Sequence, residues 1–228
     1  TARNCLLFFV KDPESGRVKT RLAAVLGQDK ATELYRCFVL DMLDTLDSVA
    51  QRDTDLVVCF TPNQARPQME GWLGRERSYL AQAGEDLGQR MCRAFARTFA
   101  QACNQGYEQV VLLGSDLPGL PPSVLTTALD ELDRHGAVLG PAIDGGYYLI
   151  GFQRESFLPT VFENMAWGGP KVCQETLARM QAAGIEPALA PEWQDVDRPE
   201  DLEALRHDPE IKRNAPRTFA ALAALTSC

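Results

Sequence analysis

The chain has 228 residues, 45% of them hydrophobic, and carries a formal net charge of −8 at pH 7. This size and apolar content allow one domain with a sizeable core, and we predict that residues 1–228 form a single domain. Acidic chains have no general attraction for nucleic acid or for anionic membranes, so neither is expected as a partner. No apolar run approaches about 20 residues, which predicts that the chain has neither a membrane span nor a signal peptide.

The cysteines indicate a reducing compartment. None of the seven belongs to a Cys-x-x-Cys pair, and most occur in apolar helix or strand patterns. His135 and His207 are too far apart in the sequence to anchor a histidine-based metal site. We therefore expect buried, reduced thiols in a cytoplasmic protein rather than disulfides or a zinc site.

Strand and helix patterns alternate along the chain. Apolar runs predict strands at 4–10, 56–60, 109–113, 137–139, 147–152 and 185–189. Helical spacing of apolar residues predicts helices at 29–49, 64–73, 87–105, 121–134, 172–183, 199–206 and 215–228, the last as a C-terminal packing helix. This alternation predicts a three-layer α/β/α fold with a mostly parallel sheet, in which ligands bind at the carboxyl ends of the strands.

The segment 11–22 follows the first predicted strand and precedes a helical pattern, an arrangement that commonly binds phosphate. Val18 stands where a Walker loop needs a glycine before its lysine, so a Walker loop is excluded. A looser loop remains, in which Lys11, Lys19 and Arg21 are the natural hydrogen-bond donors to a phosphate group. The alternative is a solvated turn whose own acidic residues offset the cations.

Asp116 ends a Gly-Ser-Asp sequence that comes directly after the strand predicted at 109–113. A carboxylate in this position suits Mg²⁺, which takes one or two carboxylates and fills its other positions with water and phosphate. The alternative is an aspartate that caps the following turn or helix.

Asp195 and Asp197 lie two positions apart in the sequence. An extended backbone would place both carboxylates on the same side, where they could share a metal ion. Asp197 could instead cap the helix that Pro199 opens.

Two glycine-rich loops complete the candidate site. Asp144-Gly145-Gly146 lies between two predicted strands and is either a simple hairpin turn or a place where the backbone approaches a ligand. Trp167-Gly168-Gly169-Pro170-Lys171 enters a helix with a cation near its start. That loop suits an anionic acceptor group, although an ordinary surface loop explains it as well.

Together these segments resemble the nucleotide-diphospho-sugar transferase superfamily, which has the glycosyltransferase-A fold. Within it, the chain is most similar to a bacterial family of molybdenum-cofactor-guanylyltransferase-like transferases that accompany radical-SAM proteins. The matching segments are 11–22 (K-x-P-x-x-G-x-V-K-T-R-L), 114–121 (G-S-D-L-P-G-L-P), 140–152 (G-P-A-I-D-G-G-Y-Y-L-I-G-F), 166–172 and 195–202 (D-V-D-x-P-E-D-L). The Lys-Thr-Arg-Leu element is also similar to that of phospholactate guanylyltransferases.

The resemblance implies a role for each segment. The nucleotide and its phosphates would lie against Lys11, Pro13, Gly16, Lys19, Thr20, Arg21, Gly114 and Ser115. Asp116 would coordinate Mg²⁺ or Mn²⁺ with help from Asp195 or Asp197. Charge on the phosphate oxygens would be stabilised by that cation together with Lys19 and Arg21, so that Lys19, Arg21 and Asp116 act in catalysis. The acceptor would lie against Asp144, Gly145, Gly146, Trp167 and Lys171.

The sequence thus predicts a metal-dependent transferase that uses a nucleoside triphosphate or a nucleotide sugar together with a small-molecule acceptor. Both nucleotidyl and glycosyl transfer fit this description, and the Lys-Thr-Arg-Leu loop favours nucleotidyl transfer. The alternative is a non-catalytic nucleotide-binding protein with a regulatory or scaffold role, which would keep the cations but would not need the carboxylates. The sequence leaves the oligomeric state open, a homo-oligomer included.

Overall fold

A computed structural model describes residues 3–14, 17–51, 53–100 and 106–226. Within these residues, one sheet is formed by β1 (Asn4–Lys11), β2 (Thr54–Thr61), β3 (Ser78–Ala81), β4 (Gln109–Leu113), β5 (Ala137–Pro141), β6 (Tyr147–Gln153) and β7 (Ala188–Leu189). The helices are α1 (Thr20–Leu26), α2 (Gln28–Val49), α3 (Arg66–Leu73), α4 (Leu87–Ala100), α5 (Pro122–His135), α6 (Val172–Ala182), α7 (Pro199–Arg206), α8 (Ile211–Asn214) and α9 (Pro216–Thr226).

The sheet has the strand order β3-β2-β1-β4-β6-β5-β7. β1 is parallel to β2 and β4, whereas β6 runs antiparallel to β4 and β5. The chain moves outward from β1 to β3 and then returns to β4 on the other side of β1. This change of direction leaves a crevice between the carboxyl ends of β1 and β4, where α/β sheets bind their ligands. The prediction of a mostly parallel sheet is confirmed.

β1 is apolar on both faces because helices cover both sides of the sheet. Leu6, Phe8 and Val10 belong to one buried cluster, which includes residues of α2 and α5. Cys5 and Leu7 belong to a second cluster, on the side of α4. This two-sided core holds the ends of β1 and β4, and with them the loops that form the crevice.

A third buried cluster connects the first loop to the C-terminal helices. Leu22 of α1, Phe38 of α2, Leu202 of α7 and Leu222 of α9 belong to it. Asp41 of α2 accepts hydrogen bonds from backbone amides in the first turn of α9. The helix predicted at 215–228 corresponds to α9, and its last two residues lie outside the described part of the chain.

Several predicted elements differ from the structure. α1 begins inside the segment predicted as a phosphate loop. β3 was missed because its sequence, Ser-Tyr-Leu-Ala, is not a continuous apolar run. The strand predicted at 185–189 is reduced to Ala188–Leu189. The helix predicted at 87–105 runs to Ala100, and residues 101–105 lie outside the described part.

The described cysteines are all free thiols: Cys5, Cys37, Cys59, Cys92 and Cys173. Cys5 and Cys59 are buried and the other described ones are half-buried. Cys103 and Cys228 lie outside the described residues. None of the helices in the described ranges has the length and apolar content that crossing a membrane requires.

Candidate active site

A cavity of about 630 Å³ lies at the carboxyl ends of β1 and β4. Small-molecule sites commonly have volumes of about 300–1,000 Å³. Most of the site residues singled out in the sequence line this cavity: Lys11, Lys19, Thr20, Arg21, Gly114, Ser115, Asp116, Asp144, Gly146, Trp167, Asp195 and Asp197. The structure therefore brings together residues that are distant in the chain.

Three other predicted residues, Pro13, Gly145 and Lys171, are described by the structure but do not line the cavity. Pro13 is buried, and Gly145 lies against the backbone of Pro170. Lys171 directly precedes α6 and its side chain is exposed, so the predicted acceptor contact through Lys171 has no support from the cavity wall. Gly16 lies outside the described residues.

Lys19 connects the acidic residues of the site. Its backbone is in the left-handed region, with φ of 49°, directly before α1. Its Nζ atom lies 2.7 Å from Oδ1 of Asp116 and 2.8 Å from Oδ1 of Asp197, and donates to the carbonyl oxygen of Val196 at 2.7 Å. Burial lowers the pKa of Lys19, but the two carboxylates outweigh it and the pKa lies above its ordinary value. The ammonium is therefore charged, and it is held by hydrogen bonds to Asp197 and Val196 and by an ion pair with Asp116.

Asp197 faces this cation and does not cap the next helix. The backbone amides of Asp197 and Arg198 donate to Oδ2 of Asp201, at 2.9 and 2.7 Å. Asp201 therefore supplies the hydrogen-bond acceptor for the amides at the start of α7. Oδ2 of Asp197 lies 3.7 Å from Nη1 of Arg21. Burial would raise the pKa of Asp197, but the adjacent Lys19 outweighs it and the pKa is lowered.

Asp195 has a different environment, although it is only two residues away. Its Oδ1 atom is buried and has no hydrogen-bond partner among the described residues. Burial, together with the negative charges of Asp116 and Asp144, raises the pKa of Asp195 to about 7. Ionising a carboxyl group that is buried in this way costs free energy unless a cation approaches it.

This carboxylate chemistry fits a magnesium or manganese ion. In the part of the chain that the structure describes, no group of three or more His, Cys, Asp and Glu side chains is arranged to hold a metal. Mg²⁺ does not need such a group, because one or two carboxylates are usually sufficient when phosphate oxygens and water complete the coordination. Asp116 and Asp195, which both line the cavity, meet that requirement.

The segment Asp144-Gly145-Gly146 is both a hairpin turn and part of the cavity wall. The amide of Gly146 donates to Oδ1 of Asp144 at 2.9 Å, and the turn joins the antiparallel strands β5 and β6. Gly145 has φ of 90°, and a side chain there would collide with the carbonyl of Pro170. The turn therefore packs tightly against the loop of Trp167, which also lines the cavity.

Tyr35 of α2 joins the two central strands beneath the cavity. Its Oη atom accepts a hydrogen bond from the amide of Lys11 at 2.9 Å and lies 3.1 Å from Oγ of Ser115. Lys11 ends β1, and Ser115 follows β4. Tyr35 thus fixes the separation of the strand ends that carry the site, although the sequence pattern marks it only as an apolar position of a helix.

The connection from β3 to α4 forms part of the cavity wall, which the sequence patterns did not indicate. Gln82, Leu87, Arg90 and Met91 line the cavity there. Because β3 was not predicted, this segment was not placed at the edge of the sheet. One signal was present: a glycine at each end of the sequence Gly-Glu-Asp-Leu-Gly, residues 84–88. The second, Gly88, lies so close to Trp167 that a side chain there would collide with it.

Comparison with known proteins identifies close structural relatives. A family model described as "Uncharacterized protein conserved in bacteria (DUF2064)" matches residues 45–169. A crystal structure from Desulfovibrio desulfuricans G20, provisionally named a nucleotide-diphospho-sugar transferase, is 42% identical with a TM-score of 0.91. The match covers 100% of this chain and 96% of that one.

Two more distant proteins are also similar. A 3-phospho-D-glycerate guanylyltransferase of Phenylobacterium zucineum (strain HLK1) is 28% identical over 86% of this chain and 88% of its own length. A glucosyl-3-phosphoglycerate synthase from Mycobacterium tuberculosis, whose structure holds Mn²⁺ and uridine diphosphate, is 10% identical with a TM-score of 0.53. That match covers 99% of this chain and 80% of the synthase chain, and shows the fold alone.

These relatives confirm the predicted fold and the prediction that the chain is a transferase. The narrower resemblance to molybdenum-cofactor guanylyltransferases, and the association with radical-SAM proteins, stay predictions.

Proposed function

We infer that this chain, which belongs to the bacterial family DUF2064, transfers a nucleotidyl group from a nucleoside triphosphate to a small acceptor. One observation supports this most strongly. The cations of the loop after β1 and the carboxylates Asp116 and Asp195 line a single cavity, at the point in the sheet where such folds bind nucleotides.

The exposed cations at the mouth of the cavity suit the phosphates of the nucleotide. Arg17 and Arg21 have side chains that are 67% and 64% exposed, and Lys11 also lines the cavity. Arg21 lies 3.7 Å from Asp197, a distance that leaves its guanidinium donors available to an incoming phosphate. One arginine guanidinium can bind two phosphate oxygens at once. Arg17 and Arg21 would therefore orient the triphosphate as well as attract it.

Asp116 and Asp195 would hold a divalent cation between them and the phosphates. Oδ1 of Asp195 is buried and has no hydrogen-bond partner in the described part of the chain, which supports this assignment over Asp197, whose charge is already paired with Lys19. When bound, Mg²⁺ or Mn²⁺ supplies positive charge to the phosphate oxygens. The chain contributes the two carboxylates and a crevice that keeps them facing the ligand.

In the proposed reaction, an oxygen atom of the acceptor attacks the α-phosphorus of the triphosphate. The new P–O bond forms as the bond to the β-phosphate breaks, and pyrophosphate leaves. Arg17, Arg21 and Lys11 would stabilise the charge that builds on the phosphate oxygens. The acceptor would be oriented against Asp144, Gly146 and Trp167, which also line the cavity, so that positioning supplies much of the rate.

The first substrates to test are GTP and 3-phospho-D-glycerate, the pair that the Phenylobacterium relative's name indicates. An acidic chain with free thiols is consistent with a cytoplasmic enzyme that has no nucleic-acid partner.

The proposal is tested by a thermal-shift screen of nucleoside triphosphates and nucleotide sugars, with and without Mg²⁺, followed by assays of pyrophosphate release. We expect a triphosphate with Mg²⁺ to raise the melting temperature most, and pyrophosphate to appear only when an acceptor is added. A non-catalytic nucleotide-binding protein would show the thermal shift without pyrophosphate. Stabilisation by a nucleotide sugar alone would favour glycosyl transfer.

A further inference from the structure

The ammonium group of Lys19 is buried among oxygen atoms of the protein, with two hydrogen bonds, to Val196 and Asp197, and an ion pair with Asp116. An ammonium carries three N–H donors. Nζ of Lys19 has three oxygen neighbours, the carboxylates of Asp116 and Asp197 and the carbonyl of Val196, at 2.7, 2.8 and 2.7 Å. The side chain is 2% exposed, and the ring of Phe38 lies 5.8 Å from Nζ.

The backbone of Lys19 is consistent with this buried position. Its φ of 49° is unusual for a residue other than glycine and costs conformational energy. The left-handed conformation occurs where the loop from β1 turns into α1. The following residues, Thr20 and Arg21, are exposed at the cavity, so the turn separates a buried cation from exposed polar groups.

The two carboxylate oxygens of Asp116 have different environments, because the ion pair with Lys19 is made through Oδ1. Oδ1 of Asp116 is buried against Lys19, while the side chain as a whole is 35% exposed. Asp116 therefore presents its other oxygen to the cavity. Asp197 is held by the same ammonium, so the segment 195–197 is fixed beside the end of β4, where Val196 also donates its amide to the carbonyl of Asp116 at 2.9 Å.

We propose that Lys19 is a positioning residue that takes the place of a second metal ion: it bridges Asp116 and Asp197, orients Asp116, and leaves a single divalent-cation site at Asp116 and Asp195. On this account Lys19 does not contact the phosphates, contrary to the role that the sequence suggested for it. The inference rests on the proposed function, because it assigns parts within the same site.

The test separates metal binding from nucleotide binding in Lys19→Met, with Arg21→Ala as the comparison. Mn²⁺ binding without nucleotide is followed by electron paramagnetic resonance, and GTP binding in EDTA by calorimetry. For Lys19→Met we expect the Mn²⁺ dissociation constant to change at least threefold, or a second Mn²⁺ to bind, while GTP affinity in EDTA stays within threefold of wild type. For Arg21→Ala we expect the reverse: the Mn²⁺ dissociation constant stays within threefold of wild type, and GTP affinity in EDTA falls at least threefold.

A loss of GTP affinity in EDTA in Lys19→Met, or unchanged Mn²⁺ binding, would overturn the inference. The wild-type protein gives a second test that does not depend on the folding of the variant. We expect one Mn²⁺ per chain with saturating nucleotide, and two, or none, would overturn the inference. Failure of the proposed function is recognised separately, because the wild-type chain would then bind no nucleoside triphosphate.

Discussion

Nζ of Lys19 lies 2.7 Å from Oδ1 of Asp116 and so joins the loop that follows β1 to the loop that follows β4. These are neighbouring strands, and their carboxyl ends border the crevice where the strand order reverses. The ion pair fixes the two sides of the crevice relative to one another. Asp195, beside it, has a buried oxygen with neither an ion pair nor a hydrogen bond among the described residues, and this contrast with Asp116 indicates where a cation belongs.

Asp116→Asn is expected to lower the rate of nucleotidyl transfer about 100-fold or more, because the amide cannot supply the negative charge that holds a cation at the phosphates. The fold should survive, since an amide oxygen can still accept from Lys19. Steady-state rates and melting temperatures check both statements. Asp130→Asn, an exposed position on α5 away from the cavity, is the matched control and should retain full activity. An Asp116→Asn enzyme with wild-type turnover would remove Asp116 from the mechanism.

Asp195→Asn is expected to stabilise the metal-free protein at alkaline pH. The native pKa of Asp195 is raised from 3.8 to about 7, so between these values the native carboxyl holds a proton that the unfolded chain has lost. The stability of the wild-type protein therefore falls as the pH rises through this window, whereas an asparagine has no such dependence.

The measurement is the melting temperature in EDTA at about pH 4 and about pH 8. The advantage of Asp195→Asn over wild type should grow from the lower to the higher pH, and Mg²⁺ should stabilise wild type more than the variant. An equal difference at both pH values would show that Asp195 does not titrate in this range.

Gly145→Ala is expected to destabilise the protein by about 3 kcal/mol, because the methyl group would meet the carbonyl of Pro170 in addition to straining a positive φ. Gly184→Ala is the control: the φ of Gly184 is also positive, but no atom of another described residue beyond its chain neighbours lies within 4 Å of the added methyl group. It should cost only about 1–2 kcal/mol. Denaturant unfolding gives both values, and equal losses would mean that the contact between the turn and the Trp167 loop is not tight.

Asp41→Ala is expected to cost about 2 kcal/mol of unfolding free energy. The carboxylate of Asp41 is fully buried and accepts hydrogen bonds from the backbone amides of Arg217 and Thr218, at 3.2 and 2.8 Å. Asp41 therefore caps the start of α9. Asp44 contacts the same arginine but is 62% exposed, so Asp44→Ala should cost less than about 1 kcal/mol. Equal effects in the two variants would indicate that α9 does not need this cap.

Much of the fold follows from local patterns in the sequence. β1 and β4 are continuous apolar runs because helices cover both their faces, and such runs are recognisable without a structure. β3 has four residues and a mixed sequence at the sheet edge, so no periodicity indicates it. The antiparallel direction of β6 depends on pairing between strands, which the sequence of one strand does not specify.

The candidate site was predictable as a set of residues but not as a set of contacts. Asp116, Asp195 and Lys19 each follow or precede a recognisable element, and the fold brings those ends together. Whether the lysine meets phosphate or carboxylate depends on side-chain packing between segments remote in the chain. The same limit applies to Asp197, where Asp201 performs the capping role that the sequence allowed Asp197 to have.

The central claim is that the bond broken lies between the α- and β-phosphates of a nucleoside triphosphate. The most direct measurement follows the label of GTP carrying ³²P at the α-phosphate, incubated with the wild-type chain, Mg²⁺ and 3-phospho-D-glycerate. The account predicts that the label moves into a new product containing the acceptor, with one pyrophosphate released for each label transferred and none by Asp116→Asn. Label that stays in GTP, across a panel of triphosphates and phosphorylated acceptors, would contradict it.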